Sequence, residues 1–102
     1  MINVFLDDLR HAPPGYRQVK SADEAIQLLK THQVDVLSLD YDLGTYPVTG
    51  GDVVQFMVRT HTYPKQIVIH SANPFGRSRM LKLLHENKPS SVQLTVSPLL
   101  WI

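Results

Sequence analysis

The sequence predicts an α/β domain in which a mostly parallel β-sheet carries helices on its faces. Short, nearly continuous apolar runs, typical of strands that are covered on both faces, recur along the chain. From the second predicted strand onwards these runs alternate with amphipathic segments, which gives the order β-β-α-β-α-β-α-β. Several runs end in acidic or other polar residues, and in open α/β sheets ligands bind at the carboxyl ends of the strands.

Five segments are predicted to be strands. Ile2–Leu6 is short and almost entirely apolar, whereas Tyr16–Lys20 alternates as an edge or half-exposed strand does. The remaining strands are predicted at Val34–Asp40, Gln66–His70 and Val92–Val96. The first, third and fourth of these five strands are expected to be buried.

Three segments are predicted to be helices. The first helix follows a capping box, in which Ser21 caps the helix and Glu24 bonds back to the chain before it. The third follows Asn73, a favoured N-cap residue, with Pro74 at the first helical position. The predicted helices extend from Ser21 to about Thr31, from Asp52 to about Thr60 and from Asn73 to about Asn87.

Length and composition indicate one domain, residues 1–102, with an ordinary globular composition. The net charge of +1, with acids and bases interspersed, argues against an extended nucleic-acid surface, although not against one local anion site. The chain has no cysteine, which excludes disulfide and thiol chemistry. It also shows no bilayer-length apolar run and no secretion signal at its N-terminus, so we expect a cytoplasmic protein that does not bind a membrane.

Acidic residues lie at the ends of two predicted strands. Asp7 and Asp8 end the first strand, Asp40 ends the third, and Asp42 follows two residues later. Because the carboxyl ends of parallel strands share one edge of a sheet, we expect these carboxylates to converge and to repel one another unless a divalent cation binds them. Hard oxygen ligands favour Mg²⁺ or Mn²⁺ over zinc. A single aspartate of this kind is more often a turn former or helix cap, and for Asp42 both interpretations stay open.

His70 and Ser71 end the fourth predicted strand. Beside a metal or a phosphoryl group, His70 is a candidate general acid or base near neutral pH. The alternative is a histidine that packs at the sheet edge with its hydrogen bonds satisfied. Ser71 is a candidate donor to a phosphate oxygen, and its alternative role is a simple strand-end hydrogen bond. Together with Asp40, these two are the candidate catalytic residues.

The segment that opens the third helix is a candidate phosphate site. Amides and the dipole at a helix N-terminus favour anions, so a cation such as Arg77 or Arg79 in the first turn is better explained if it faces a phosphate or carboxylate. We therefore add Asn73 and Arg77 to Ser71 as candidate phosphate ligands, with solvated arginines as the alternative. Arg10, close to the first acid pair, is a further candidate. The glycines of "TGGD" (residues 49–52) either form a cap and tight turn or let amides approach a phosphate.

Three short stretches, "FLDD", "LSLD" and "IHSA", resemble the response-regulator receiver domain. In that family an acid pair and a phosphoacceptor aspartate hold Mg²⁺, and a Ser or Thr followed by Ala contacts the phosphoryl group. The resemblance implies that Asp7 and Asp8 are the acid pair, that Asp40 is the phosphoacceptor and that Ser71 is the hydroxyl residue. Receivers carry a Lys-Pro pair after the fifth strand, whereas this chain has Ser97 before its proline, and it ends without the final helix.

A longer pattern, "VFLDD", "SLDYDLG", "TGGDVV" and "HSANPFGR", is more similar to a divergent relative, the cyclic-phosphate processing receiver-like domain. The resemblance covers nearly the whole chain. It implies a three-layer, flavodoxin/receiver-like, doubly wound parallel sheet of five strands in the order 2-1-3-4-5, with about three helices and the final helix missing. It also implies action on a cyclic phosphate.

Three functions are compatible with these observations. The first is a metal-dependent phosphodiesterase that opens a cyclic phosphate, with Asp7, Asp8, Asp40 and Asp42 as metal ligands. The second is a non-catalytic module that binds a cyclic nucleotide or a protein. The third is an atypical receiver that is phosphorylated on Asp40. The expected partner is a small phosphate-containing ligand, such as a cyclic nucleotide or an RNA-end cyclic phosphate, and the oligomeric state is open.

Overall fold

The computed structural model describes residues 1–97 of the chain. Its strands are β1 (Ile2–Leu6), β2 (Tyr16–Val19), β3 (Val34–Leu39), β4 (Gln66–Ile69) and β5 (Gln93–Val96), and its helices are α1 (Ala22–Thr31), α2 (Gly50–Thr60) and α3 (Pro74–Asn87). The C-terminal "PLLWI" segment and the proline after Ser97 lie outside the described residues.

All four strand pairings among residues 1–97 are parallel, and the strand order is β2-β1-β3-β4-β5. This confirms the predicted five-stranded sheet, its order and its three helices. The strand β2 lies at one edge, as its alternating pattern predicted. The boundaries differ slightly from the prediction, because Lys20, Asp40 and His70 lie just past their strands and α2 begins at Gly50 rather than at Asp52.

The three helices lie on one face of the sheet. The connections β2–β3, β3–β4 and β4–β5 all cross the sheet in the same direction, and right-handed crossovers then place their helices on the same side. Accordingly, α1 packs against α2, and α2 packs against α3. The one reverse connection, from β1 to β2, is a loop (residues 7–15). The described part of the chain therefore forms two layers where three were expected, because a loop replaces the helix that would begin the third.

The apolar core lies between the helices and the face that they cover. Alternate residues of the three central strands reach this core and are almost completely buried: Val4, Leu6, Leu37, Leu39, Ile67 and Ile69. The residues between them, Phe5, Ser38 and Val68, are neighbours across the strands on the opposite face. That opposite face carries no helix among residues 1–97, and Phe5 and Ser38 on it are nevertheless buried.

The helix starts explain several sequence motifs. Ser21 caps α1, and Asn73 caps α3 with a proline at the start of the helix, as predicted. The "TGGD" motif is a capping box, in which Thr49 caps α2 and the side chain of Asp52 accepts a hydrogen bond from the Thr49 N–H. Over residues 1–97, no helix combines the length and the apolar character that a membrane crossing requires.

Candidate functional site

Three carboxylates converge at the carboxyl edge of the sheet. Asp7 and Asp8 directly follow β1, and Asp40 directly follows β3, the neighbouring strand. One oxygen from each of these residues lies within 4.8 Å of the corresponding oxygens of the other two. We call Asp7, Asp8 and Asp40 the acid cluster. Parallel pairing of β1 with β3 is what brings these residues together, since it aligns Leu6 with Leu39 and so places both strand ends side by side.

Asp7 is the buried member of the acid cluster, at 1% exposure. Its Oδ1 accepts hydrogen bonds from the backbone N–H groups of Leu9, at 2.8 Å, and Arg10, at 2.9 Å. Its Oδ2 lies 3.1 Å from Nε2 of His70. Both oxygens are thus held by donors of the chain, which fixes the direction of the carboxylate while leaving lone pairs for a further ligand.

His70 supports Asp7 from the face of the sheet without helices. Its Nδ1 lies 2.6 Å from Oγ of Ser38, and its ring stacks on Phe5 with centroids 4.4 Å apart. Burial lowers the pKa of His70 below its ordinary value, although the Asp7 carboxylate acts in the opposite direction. The imidazole is therefore neutral at pH 7, and the arrangement that satisfies both contacts has Ser38 donating to Nδ1 and Nε2–H donating to Asp7. The contact with Asp7 is a hydrogen bond from a neutral ring rather than an ion pair.

This placement differs from the proton-transfer role that the sequence suggested for His70. The residue is 1% exposed, and both of its ring nitrogens have partners. A general acid or base needs a ring nitrogen within reach of the reacting group. The geometry corresponds instead to the alternative that the sequence left open, a packed and satisfied histidine at the sheet edge.

The carboxylate of Asp8 is not fully satisfied by hydrogen bonds within the described residues. Its Oδ1 is buried and has no hydrogen-bond partner among the described residues. On the other side of this carboxylate lies Gly44, where an added Cβ atom would stand 3.2 Å from Oδ2. A buried carboxylate oxygen without a donor is costly. Its position beside two further carboxylates fits a hard divalent cation, whose preferred ligands are such oxygens.

Asp40 shows the mutual repulsion of the acid cluster. Burial and, next, the charge of Asp7 raise its pKa from 3.8 to about 6, and Asp42 adds to this effect. Hydrogen bonds from the Tyr41 N–H, at 2.8 Å, and from the Ser71 hydroxyl oppose the rise in pKa. A cation bound between the carboxylates would remove the repulsion that raises the pKa of Asp40.

Ser71 links the acid cluster to the start of α3. It is 1% exposed, it is a hydrogen-bond partner of Asp40, and its Oγ accepts from the Asn73 N–H at 3.1 Å. Asn73 is also engaged, because its Oδ1 caps α3 by accepting from the Gly76 N–H at 3.1 Å. The structure therefore places Ser71 at the cluster and gives Asn73 a structural role in addition to its predicted ligand role.

Asp42 is near the acid cluster but is not part of it. It is exposed, and its two oxygens accept from Nδ2 of Asn73 at 3.1 and 3.3 Å. It is not among the residues whose ligand oxygens group within 4.8 Å. The predicted metal-ligand role of Asp42 is thus not supported, because its carboxylate is directed to the loop before α3.

Two arginines donate hydrogen bonds to the backbone that directly follows β4. Nη1 of Arg10 donates to the carbonyl oxygen of His70 at 3.3 Å, and Nη1 of Arg77 donates to the carbonyl oxygen of Ser71 at 3.2 Å. Both predicted candidates therefore reach the edge that carries the acid cluster. Arg79, by contrast, lies in the second turn of α3 and sits 5.4 Å from the centre of the Phe75 ring.

Sequence reasoning missed Tyr41, which contacts the starts of α2 and α3. A Cβ atom on Gly76 would overlap the Tyr41 ring, and one on Gly50 would overlap the Asp40 carbonyl oxygen. The Gly50 N–H also donates to the Tyr41 carbonyl oxygen at 2.8 Å. The adjacent glycines of "TGGD" were the available signal, and the first of them, Gly50, permits this close approach of backbone.

Ser38 was also missed. A lone hydroxyl in the apolar strand β3 was the signal that a buried polar partner would be needed. That partner is His70, which directly follows the neighbouring strand β4.

One protein-family model matches the chain, that of the cyclic-phosphate processing receiver domain, over residues 2–86. The match extends from β1 almost to the end of α3 and includes the acid cluster, His70 and Ser71. No curated protein matches the chain.

Proposed function

The chain belongs to the cyclic-phosphate processing receiver domain family, and on that premise we propose that it opens a cyclic phosphate diester by hydrolysis at the acid cluster. In this reaction the oxygen of a water molecule bonds to phosphorus and one ester P–O bond breaks. One water proton ends on the leaving oxygen, and the product is a phosphate monoester.

The observation that carries this proposal is the unbalanced charge of the acid cluster. Asp7, Asp8 and Asp40 bring one oxygen each within 4.8 Å, and Oδ1 of Asp8 is buried without a partner among the described residues. Such an arrangement fits Mg²⁺ or Mn²⁺, which Asp7, Asp8 and Asp40 would hold. A bound divalent cation supplies polarisation of phosphoryl oxygens and a more acidic water.

The remaining residues orient the cluster and its ligand. His70 fixes the direction of the Asp7 carboxylate through the hydrogen bond from Nε2. Ser71 is hydrogen-bonded to Asp40 and helps to fix the direction of that carboxylate. One N–H of the Arg77 guanidinium donates to the Ser71 carbonyl oxygen. The other N–H groups are suited to donate to a phosphoryl oxygen of a ligand bound beside Ser71.

A screen of the purified protein with Mg²⁺ or Mn²⁺ against 2′,3′-cyclic and 3′,5′-cyclic nucleotides tests the proposal. Asp40→Asn removes a cluster carboxylate, whereas Asp35→Asn makes the same chemical change at the other end of β3. We expect turnover by the wild-type protein and by Asp35→Asn, and loss of turnover in Asp40→Asn. Equal product formation by wild-type and Asp40→Asn would contradict hydrolysis at this cluster, as would no turnover of any cyclic phosphate.

A second candidate is a binding module that does not turn its ligand over. It is favoured by the state of His70, because both ring nitrogens are engaged and the imidazole is not poised to deliver a proton. Calorimetric titration with a cyclic nucleotide, followed by recovery of the ligand, separates the two functions. Tight binding with the ligand recovered intact supports the second candidate.

A further inference from the structure

A cavity of about 440 Å³ is lined by Tyr41, which directly follows Asp40 of the acid cluster. It is formed between the loop after β3 and the start of α3, and its lining includes Tyr41, Asp42, Gly44, Tyr46, Asn73 and Phe75. This volume is in the range of small-molecule sites. None of the roles assigned so far uses the cavity.

The walls of this cavity carry exposed aromatic rings. Tyr46 is 92% exposed and Phe75 is 63% exposed, and Val48, at 43%, lines the same cavity. Large apolar side chains that are exposed together mark binding sites more often than those scattered singly. The two rings have little structural function in the isolated chain, because so much of their surface faces solvent.

Two residues that line the cavity adjoin the acid cluster. Gly44, which lines it, lies against Oδ2 of Asp8, and Tyr41, which also lines it, directly follows Asp40. One ligand with its phosphate at the cluster therefore has its remaining part within reach of the cavity. In a nucleoside cyclic phosphate, the base is separated from the phosphate by a single sugar ring.

The chemistry of the lining suits a nucleobase. Aromatic side chains stack on the faces of bases, and Phe75 is itself backed by Arg79, 5.4 Å from its ring centre. At the edge of the cavity, Asp42 offers carboxylate oxygens that accept hydrogen bonds from exocyclic amino groups of a base. Asn73 holds this carboxylate in place through Nδ2.

We infer that the cavity between Tyr46 and Phe75 binds the nucleobase of a nucleoside cyclic phosphate, so that the substrate class of this site is a nucleotide rather than a base-free cyclic phosphate. The inference rests on the proposed function, since it places the phosphate of the same ligand at the acid cluster. It adds a second contact region, which selects the ligand by its base.

The test compares ligands with and without a base, in binding and in turnover. Calorimetry with Mg²⁺ present measures binding of adenosine 3′-phosphate and of glycerol 3-phosphate. Turnover is measured with adenosine 2′,3′-cyclic phosphate and with glycerol 1,2-cyclic phosphate. The variants are Tyr46→Ala and Phe75→Ala, and their matched controls, Tyr46→Phe and Phe75→Tyr, preserve each ring.

We expect the nucleotide to bind at least about tenfold more tightly than the glycerol ligand, and each alanine variant to weaken nucleotide binding by about tenfold, as the loss of a stacking partner does. The ring-preserving variants should bind the nucleotide as the wild-type protein does, and no variant should change binding of the glycerol ligand. Because Tyr46 and Phe75 are exposed, these substitutions are not expected to impair folding.

The outcomes separate this inference from the proposed function. Equal binding of both ligands, unaffected by the alanine variants, overturns the base site, and turnover of both cyclic phosphates would leave hydrolysis intact. Ring-dependent nucleotide binding without turnover supports the base site and contradicts hydrolysis. No binding of either ligand overturns the base site, and the absence of turnover of both cyclic phosphates contradicts hydrolysis.

Discussion

Nε2 of His70 lies 3.1 Å from Oδ2 of Asp7, and both residues are 1% exposed. A neutral imidazole thus holds a carboxylate of the acid cluster, and Ser38 holds the imidazole in turn through Nδ1 at 2.6 Å. This chain of contacts resembles the outer partners that orient ligands in metal sites. His70 therefore positions the Asp7 carboxylate, and substitutions of His70 test this role.

His70→Gln and His70→Ala should differ if His70 positions Asp7. Glutamine can place an N–H near the position of Nε2, so we expect His70→Gln to bind Mn²⁺ within a few-fold of the wild-type protein. His70→Ala should lose about tenfold or more in Mn²⁺ affinity, as other second partners of metal ligands do. It should also lose about 2–4 kcal/mol of unfolding free energy, because it leaves a cavity and unpaired polar groups. Calorimetry and urea unfolding measure the two effects, and equal Mn²⁺ affinities of the two variants would contradict positioning.

Asp40→Asn should stabilise the metal-free protein at neutral pH. The folded state raises the pKa of Asp40 from 3.8 to about 6, so the folded protein binds more protons than the unfolded chain between these values. Stability from this group is therefore present below about pH 4 and is lost as the pH rises to about 6. With EDTA present, we expect Asp40→Asn to have the higher Tm at pH 7 and little advantage at pH 4. Asp35→Asn, at the other end of β3, serves as the control, and an unchanged or lower Tm of Asp40→Asn at pH 7 contradicts the repulsion.

Binding of Mg²⁺ should weaken on acidification. A carboxylate ligand must lose its proton before it binds a cation, and Asp40 is protonated below about pH 6 in the metal-free protein. We expect a rise in Tm on adding Mg²⁺ at pH 7.5 that shrinks at pH 5, measured by circular dichroism. Asp8→Asn should abolish this rise at both pH values. A metal-dependent rise in Tm that survives Asp8→Asn places the cation elsewhere.

Gly50→Ala and Gly76→Ala should destabilise the fold. An added Cβ overlaps the Asp40 carbonyl oxygen in the first variant and the Tyr41 ring in the second. We expect each to cost about 2 kcal/mol or more of unfolding free energy, since overpacking against backbone or a fixed ring forces the structure to shift. Gly51→Ala is the control, because its added Cβ would stand 3.2 Å from Thr49 Oγ1 and 3.3 Å from Cε1 of Tyr41, and shifts of a few tenths of an ångström relieve both contacts. Urea unfolding of the three variants makes the comparison, and equal losses in all three would contradict the close approach at Tyr41.

Most of the fold could be predicted from the sequence, because it depends on local signals. Capping residues such as Ser21 and Asn73 mark helix starts, and continuous apolar runs mark buried strands. The one-sided placement of the helices was not predicted. It depends on the β1–β2 connection being a loop, and the resemblance to a doubly wound family suggested helices on both faces.

The acid cluster could be predicted because strand ends in a parallel sheet share an edge, and the structure does group Asp7, Asp8 and Asp40. The orientation of the side chains beyond the strand ends could not be predicted from the sequence. Whether Asp42 turns to the cluster or to Asn73, and whether His70 faces ligand or protein, depends on contacts between residues far apart in the sequence. The sequence marks that Ser38 needs a partner but does not identify it.

Alternate residues along the central strands have different functions. Leu37 and Leu39 face the helices and hold the fold together, whereas Ser38, between them, faces the other way and supports His70. Neighbouring residues of one strand thus serve different purposes, Leu37 and Leu39 the packing of the core and Ser38 the direction of a carboxylate through His70. A substitution at Ser38 is therefore expected to change both the direction in which His70 holds the Asp7 carboxylate and the stability of the fold, whereas one at Leu37 or Leu39 acts on the core alone.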